Sequence, residues 1–250
     1  MALNAATLLT ILDNIVQRPF MDKLSTENVN HVNELNRKTR ERVQAFQAKE
    51  APILADRSKS DEGKSAALAS VATKSIADFK YLEVVSMRER DTIARLTATL
   101  FTIPMPTTMT EQDAREIRGE YLNLSAQEVD MSFLRTCELS TVADPDDVEA
   151  QPRATEELFA ILGKRGRSLV SLDIKQRGLS ERAKQLFPTT FAELQQAEIL
   201  FEQLSGLRDY VVNWLTGLGA DPQQIHDQLG GPQPTISPMA RELAKRQVAA

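Results

Sequence analysis

The residues best suited to chemistry lie in one basic segment, GKRGRSLVSLDIKQRG, at positions 163–178. Five cations stand there among three glycines, and such a cluster could hold a phosphate group. The cations are Lys164, Arg165, Arg167, Lys175 and Arg177. The segment matches neither the phosphate-loop pattern G-x-x-x-x-G-K-[ST] nor the dinucleotide pattern G-x-G-x-x-G. Two interpretations stay open: an anion or nucleic-acid contact, and a basic turn whose cations face the negative pole of the preceding helix. We favour the turn.

A second candidate is the acidic stretch DPDDVE at 144–149, because hard cations prefer sites rich in carboxylate oxygens. It departs from the calcium-loop pattern D-x-[DN]-x-[DN]-G at the third ligand and at the glycine. Asp144 followed by Pro145 is instead typical of a helix start. We therefore predict no metal site and no cofactor.

Nucleophilic catalysis lacks the residues that it needs. The chain has one cysteine, Cys137, which lies among apolar positions, and two histidines, His31 and His226. A catalytic thiol needs a nearby base, and zinc sites and histidine-centred triads need more ligands or partners than this chain offers. We predict that the chain has no catalytic residues and is not an enzyme, although any two of its 35 acidic residues could form an acid–base pair.

The composition favours a soluble, nearly all-α protein, since helix-forming residues abound and only 10 of 250 residues are glycine. The net charge is -5, and the acidic excess lies in residues 126–250. A general nucleic-acid binder normally has an excess of cations, so only a local patch could serve that purpose here. One cysteine predicts no internal disulfide, and no apolar run reaches the length of a membrane span. We expect a cytoplasmic protein, or one within a particle assembled in the cytoplasm.

Apolar spacing predicts how the N-terminal part is built. A first amphipathic helix is followed by a helix that ends at about Glu50, before Pro52, and then by one unbroken helix of about 37 residues between Lys64 and Pro104. Together the last two predict a long antiparallel helical hairpin. It would be followed by a smaller helical domain with at most a short β segment near 168–174, where apolar and polar residues alternate. The predicted domains are 1–103, a linker with short helices at 104–153, and a C-terminal helical domain at 154–250.

The hairpin offers a seam of the coiled-coil type, with apolar residues at a and d positions. Asn36 lies on that seam, where a polar side chain fixes register and partner. The first helix adds another apolar face, which must be covered either by the same chain or by a neighbour. The candidate interface residues are Leu8, Leu12, Ile15, Val29, Val32, Asn36, Val43 and Phe46.

The C-terminal part contains the clearest core helix, which follows Thr190 and ends near Gly217 and Gly219. A short helix then begins at Asp221 and Pro222, and a last one begins at Ser237 and Pro238.

Two functions follow from these observations. The favoured one is a non-enzymatic structural or adaptor protein that contacts other subunits or copies of itself, for example in a virion or a secretion-type particle. The alternative is a nucleic-acid or phosphate-contacting protein that uses residues 164–177, helped by the cations of residues 37–42.

Overall fold

The computed structural model describes residues 8–10, 12, 22–142, 147–163 and 168–230. Within these ranges lie nine complete α-helices and no strand, as a mostly all-α fold predicts. The helices are α1 Thr26–Ala55, α2 Asp61–Ser75, α3 Lys80–Phe101, α4 Glu111–Leu122, α5 Ala126–Leu139, α6 Ala150–Leu162, α7 Leu172–Leu186, α8 Pro188–Gly217 and α9 Pro222–Leu229. None of the helices described is long and apolar enough to cross a membrane.

The chain divides into two compact units. Unit 1 comprises residues 1–91 and 196–250, and unit 2 comprises residues 92–195. The predicted domains, 1–103, 104–153 and 154–250, follow linkers in the sequence and remain a prediction. The observed division instead falls inside α3 and α8, and it groups the last part of the chain with the first.

Helix starts follow the capping residues of the sequence. The hydroxyl of Ser125 accepts a hydrogen bond from the backbone N–H of Glu128, whose carboxylate in turn accepts from Ser125. This capping box is the one that the S-x-x-E pattern predicts, and its hydrogen bonds lower the pKa of Glu128. Thr110 begins α4 in the same way, with Asp113 as its partner.

The predicted helix of about 37 residues is wrong in one respect. A 3-10 turn at Ile76–Phe79 separates α2 from α3. Since a 3-10 helix has three residues per turn, Ile76 and Phe79 fall on the same face, and both are fully buried. The predicted stop before Pro52 is also wrong, because α1 continues to Ala55. Pro52 removes one backbone hydrogen bond, and only three residues of α1 follow it.

The core of unit 1 is built around Trp214 of α8. The rings of Phe46 and Phe79 meet Trp214 edge to face, with centroids 4.8 Å and 6.0 Å from its own. Leu8 and Leu12, which are helical, belong to the same cluster of buried side chains. The amphipathic first helix is therefore covered by its own chain at these two positions.

The core of unit 2 joins α5, α6 and α7. Gly178 of α7 lies so close to α5 that an added Cβ would be 2.7 Å from Phe133 and 3.0 Å from the sulfur of Cys137. Only glycine fits this contact without a shift of its neighbours. The short β segment allowed near 168–174 does not form, since residues 168–171 contain no strand and α7 begins at Leu172. The buried Leu179 and Ala183 follow helical spacing, which prevails over the short alternation before them.

Candidate functional site

The structure places the candidate anion-binding cations in different situations. Lys164, Arg165 and Arg167 lie outside the described residues, whereas Lys175 and Arg177 lie on α7. Arg177 is exposed and lines a cleft of about 260 Å³ together with Arg182 and two glutamates, Glu138 and Glu181. The charges of that cleft balance, so it has no preference for an anion.

The C-terminal end of α6, directly before the basic segment, is contacted by a cation of α4. Arg118 of α4 donates hydrogen bonds from Nη1 to the carbonyl oxygens of Ala160 and Ile161, at 3.0 and 3.1 Å. A guanidinium at this position satisfies the free carbonyls of α6 and faces the negative pole of its dipole. Gly163 then ends α6 with a φ of 70°, as its predicted role as a helix stop requires.

The additional cations proposed for nucleic-acid contact, on α1, are engaged within the chain. Arg37 pairs with Glu41 on the same helix. Arg42 lies 3.7 Å from the carboxylate of Asp78, and the ammonium of Lys38 lies 4.2 Å from the centre of the Tyr81 ring. Burial raises the pKa of Tyr81 to about 12, so the phenol is neutral beside this ammonium. These contacts are individually weak, but they leave little uncompensated positive charge on α1.

The candidate interface residues lie largely inside unit 1. The exception in the described set is Val29, which is half-buried, and Ile15 lies outside the described residues. Those that are buried are Leu8, Leu12, Val32, Asn36, Val43 and Phe46. Asn36 donates a hydrogen bond of 2.7 Å from Nδ2 to the carbonyl oxygen of Leu12. The polar residue of the seam thus holds the N-terminal segment of the same chain, and the apolar surface of the seam is used internally.

The residues considered for catalysis or metal binding are not assembled into such a site where the structure describes them. Cys137 is buried, and that burial raises the pKa of its thiol to about 12, far from a reactive thiolate. In the described ranges, no group of three or more His, Cys, Asp or Glu side chains could hold a metal ion. Asp144 and Asp146 lie outside those ranges, and the Asp147 carboxylate accepts a hydrogen bond from the backbone N–H of Glu149.

A cleft of about 690 Å³ lies in unit 2 and was not predicted from the sequence. We call it the α4–α6 groove. Its lining combines apolar side chains of α4, α6 and the turn after α4, which we call the wall, with four glutamates and one arginine, which we call the rim. The wall consists of Ile117, Tyr121, Leu124 and Pro152, and the charged rim of Glu120, Glu149, Arg153, Glu156 and Glu157.

Glu157 is the centre of the polar contacts inside the groove. Its carboxylate accepts hydrogen bonds from the phenol of Tyr121 at 3.2 Å and from the hydroxyl of Thr136 at 3.4 Å, and it lies 3.5 Å from Nε of Arg153. Burial, and secondarily the charge of Glu157, raise the pKa of Tyr121. The phenol therefore remains a neutral hydrogen-bond donor, and the groove keeps the negative charge of its rim.

Exposed apolar side chains concentrate on unit 2. Only three large exposed ones are described in unit 1, namely Leu54, Val84 and Met87. Unit 2, the smaller of the two, has Leu122, Leu124, Met131, Leu139, Val142, Val148, Leu172 and Phe187. Isolated exposed apolar residues are ordinary, and exposure of this kind is typical of an interaction surface where several such residues lie together on one face.

Two of these residues lie next to a link between α5 and α7. The carboxylate of Asp130 accepts hydrogen bonds from the backbone N–H and the hydroxyl of Ser171, at 3.1 and 3.0 Å. Met131 and Leu172, the chain neighbours of this pair, are 63% and 68% exposed. The link holds the two backbones together, so these exposed side chains are positioned by ordered structure.

A signal for the groove was present in the sequence. The rim side chains at the start of α6 and along it recur at positions 149, 153, 156 and 157, which is the spacing of one helix face. The matching face of α4 repeats at 117, 120, 121 and 124. What the sequence does not reveal is that these two faces meet.

No protein-family model, no curated protein and no solved structure gives a significant match to the chain.

Proposed function

We propose that this chain is a non-enzymatic structural or adaptor protein that makes helix-mediated contacts with copies of itself or with other subunits of a larger assembly. Its place of action would be the cytoplasm or a particle assembled there. The observation that carries this proposal is the concentration of exposed apolar side chains on unit 2, which also contains a groove partly lined by apolar side chains. The free energy falls when a partner covers an apolar surface of this kind and removes it from water.

The size of that gain indicates how the surface would work. Burying a fully exposed Leu or Met side chain contributes about 1.5 to 3 kcal/mol. Association must first offset a loss of translational and rotational freedom of at least about 4 kcal/mol. One exposed leucine therefore cannot hold a partner, whereas several on one unit can. The number of exposed apolar residues on unit 2 favours a binding surface over incidental exposure.

The test is the effect of Met131 and Leu172 on association. We expect the full chain to associate in sedimentation equilibrium, and the double variant Met131→Asp/Leu172→Asp to raise the dissociation constant about 100-fold, since about 3 kcal/mol of apolar burial is lost. The matched control is Val84→Asp/Met87→Asp, which introduces the same charges at exposed positions of unit 1 and should change the constant little. A monomer at every concentration, with no partner retained from the native source, would count decisively against the proposal.

The alternative function, contact with nucleic acid, has a separate test. We expect labelled single-stranded and duplex DNA and RNA to show no appreciable anisotropy change with the protein, because five cations are too few for a backbone binder, which typically neutralises about 6 to 10 phosphates. The comparison is Lys164→Gln/Arg165→Gln/Arg167→Gln. Micromolar binding that weakens steeply between about 50 and 200 mM salt, and that disappears in this variant, would establish the alternative instead.

A further inference from the structure

We propose that the α4–α6 groove binds residues 237–250 of a second copy of this chain as a basic amphipathic helix. This inference rests on the proposed function, because it names the partner of one unit 2 surface. It goes beyond that function by assigning both sides of a contact between copies.

The shape of the groove suits a short helical segment. Its α6 rim extends from Glu149 to Glu157, which at 1.5 Å per residue is a length of about 12 Å, or roughly two helical turns. The opposite side extends from Ile117 to Leu124 over a similar distance. A groove of this length can take an apolar side chain from each of two successive turns and a charged one beyond them.

The charge of the groove favours a cationic occupant. Four glutamates and one arginine give its rim a formal charge of 1 − 4 = −3. Glu156 accepts a hydrogen bond from Thr108 at 2.7 Å, and Glu157 is engaged by Tyr121, Thr136 and Arg153. The carboxylates of Glu120 and Glu149, in contrast, receive no hydrogen bond or ion pair from the described part of the chain.

Residues 237–250, SPMARELAKRQVAA, have the complementary pattern. They carry three cations and one acid, a net charge of 3 − 1 = +2, in the acidic half of the chain. Ser237 and Pro238 form a helix start signal. On such a helix Leu243 and Arg246 lie four and seven residues after Met239, which places all three on one face. Met239 and Leu243 would pack on the apolar wall of the groove while Arg246 reaches its acidic rim.

The other basic segment of the chain is a poorer occupant. Val170, Gly178 and Leu179, in the described part of residues 163–178, are buried in unit 2. Removing this segment from its own core would cost more than docking it elsewhere would return.

The experiment is a charge swap followed by sedimentation equilibrium of the full chain. We expect Glu149→Lys and Arg246→Glu each to raise the dissociation constant at least tenfold, equivalent to about 1.4 kcal/mol. The double variant Glu149→Lys/Arg246→Glu should recover most of the affinity, because the pair is restored with its signs exchanged. A purely structural effect of either substitution would not be rescued in this way.

Two matched controls carry the same charge changes at other positions. Glu193→Lys reverses an exposed carboxylate of unit 2 that lies outside the groove, and Arg241→Glu reverses a cation on the opposite face of the predicted helix. Each should change the constant by no more than about threefold, the level expected of a distant, screened charge. Thermal unfolding of every variant verifies that it is folded.

The outcomes separate this inference from the proposed function. If the chain associates and both groove and tail reversals leave the constant unchanged, the inference is overturned and the proposed function stands. Reversals that weaken association without recovery in the double variant also overturn it. A chain that is monomeric at every concentration overturns the contact between copies, whatever other partners it has.

Discussion

Replacement of Phe46 by alanine is expected to lower the free energy of unfolding by about 3 to 5 kcal/mol. The side chain is 1% exposed and meets Trp214 edge to face, so its removal leaves a cavity against the largest buried residue of unit 1. The expected loss contains the transfer free energy of the ring and the cost of that cavity. Chemical denaturation followed by Trp214 fluorescence measures it, because Trp214 is the single tryptophan of the chain.

The matched control is Phe187→Ala, which removes the same ring at a position that is 46% exposed. It should cost less than about 1 kcal/mol, since nearly half of its surface already contacts water. A loss of less than about 1 kcal/mol for Phe46→Ala would contradict the burial of this face of α1.

Much of the fold could be predicted from local sequence signals. The core helix α8 is predicted by its apolar spacing, although it begins at Pro188 and not after Thr190. The capping box at Ser125 and the glycine stop at Gly163 depend on residues close together in the chain. So does α9, which begins after Asp221 and ends at Gly230 with a φ of 61°. Such signals report where backbone hydrogen bonds are satisfied, and each is contained within one helical turn.

The features that could not be predicted depend on tertiary contacts. The 3-10 turn at Ile76–Phe79 contains no proline or glycine that would predict an interruption of the helix. The turn accompanies the burial of the Ile76 and Phe79 side chains in the core. The division into two units depends on which helices pack together, and linker composition carries no information about that. The α4–α6 groove is likewise a meeting of two helix faces, each of which looks like an ordinary solvated face when taken alone.

The sequence around Asn36 predicts that this helix face is covered, but it does not predict which chain covers it. The position of Asn36 among apolar residues predicts a polar group that fixes a helical contact. The structure shows such a contact, but the partner is the backbone of Leu12 in the same chain. A seam pattern specifies that a face is covered and cannot specify which chain covers it. Because the seam is covered by its own chain, we propose the contact surface on unit 2 instead.

Replacement of Leu12 by aspartate tests this assignment, and we expect it to destabilise the chain by at least about 3 kcal/mol at every protein concentration. Leu12 is fully buried in the cluster around Trp214, so the variant loses the apolar contacts of the leucine and places a carboxylate where the described core offers it no cation. If Leu12 belonged to an interface between copies instead, the substitution would alter association and leave the unfolding of the monomer unchanged. Denaturation curves at two concentrations about 100-fold apart distinguish the two cases, because only the stability of an oligomer depends on concentration.

The matched control is Leu54→Asp, at a position of unit 1 that is 51% exposed, which should cost no more than about 1 kcal/mol. Equal effects of the two substitutions would contradict the intramolecular docking of the N-terminal segment, whereas a large loss confined to Leu12→Asp would show that this segment completes the core of its own chain.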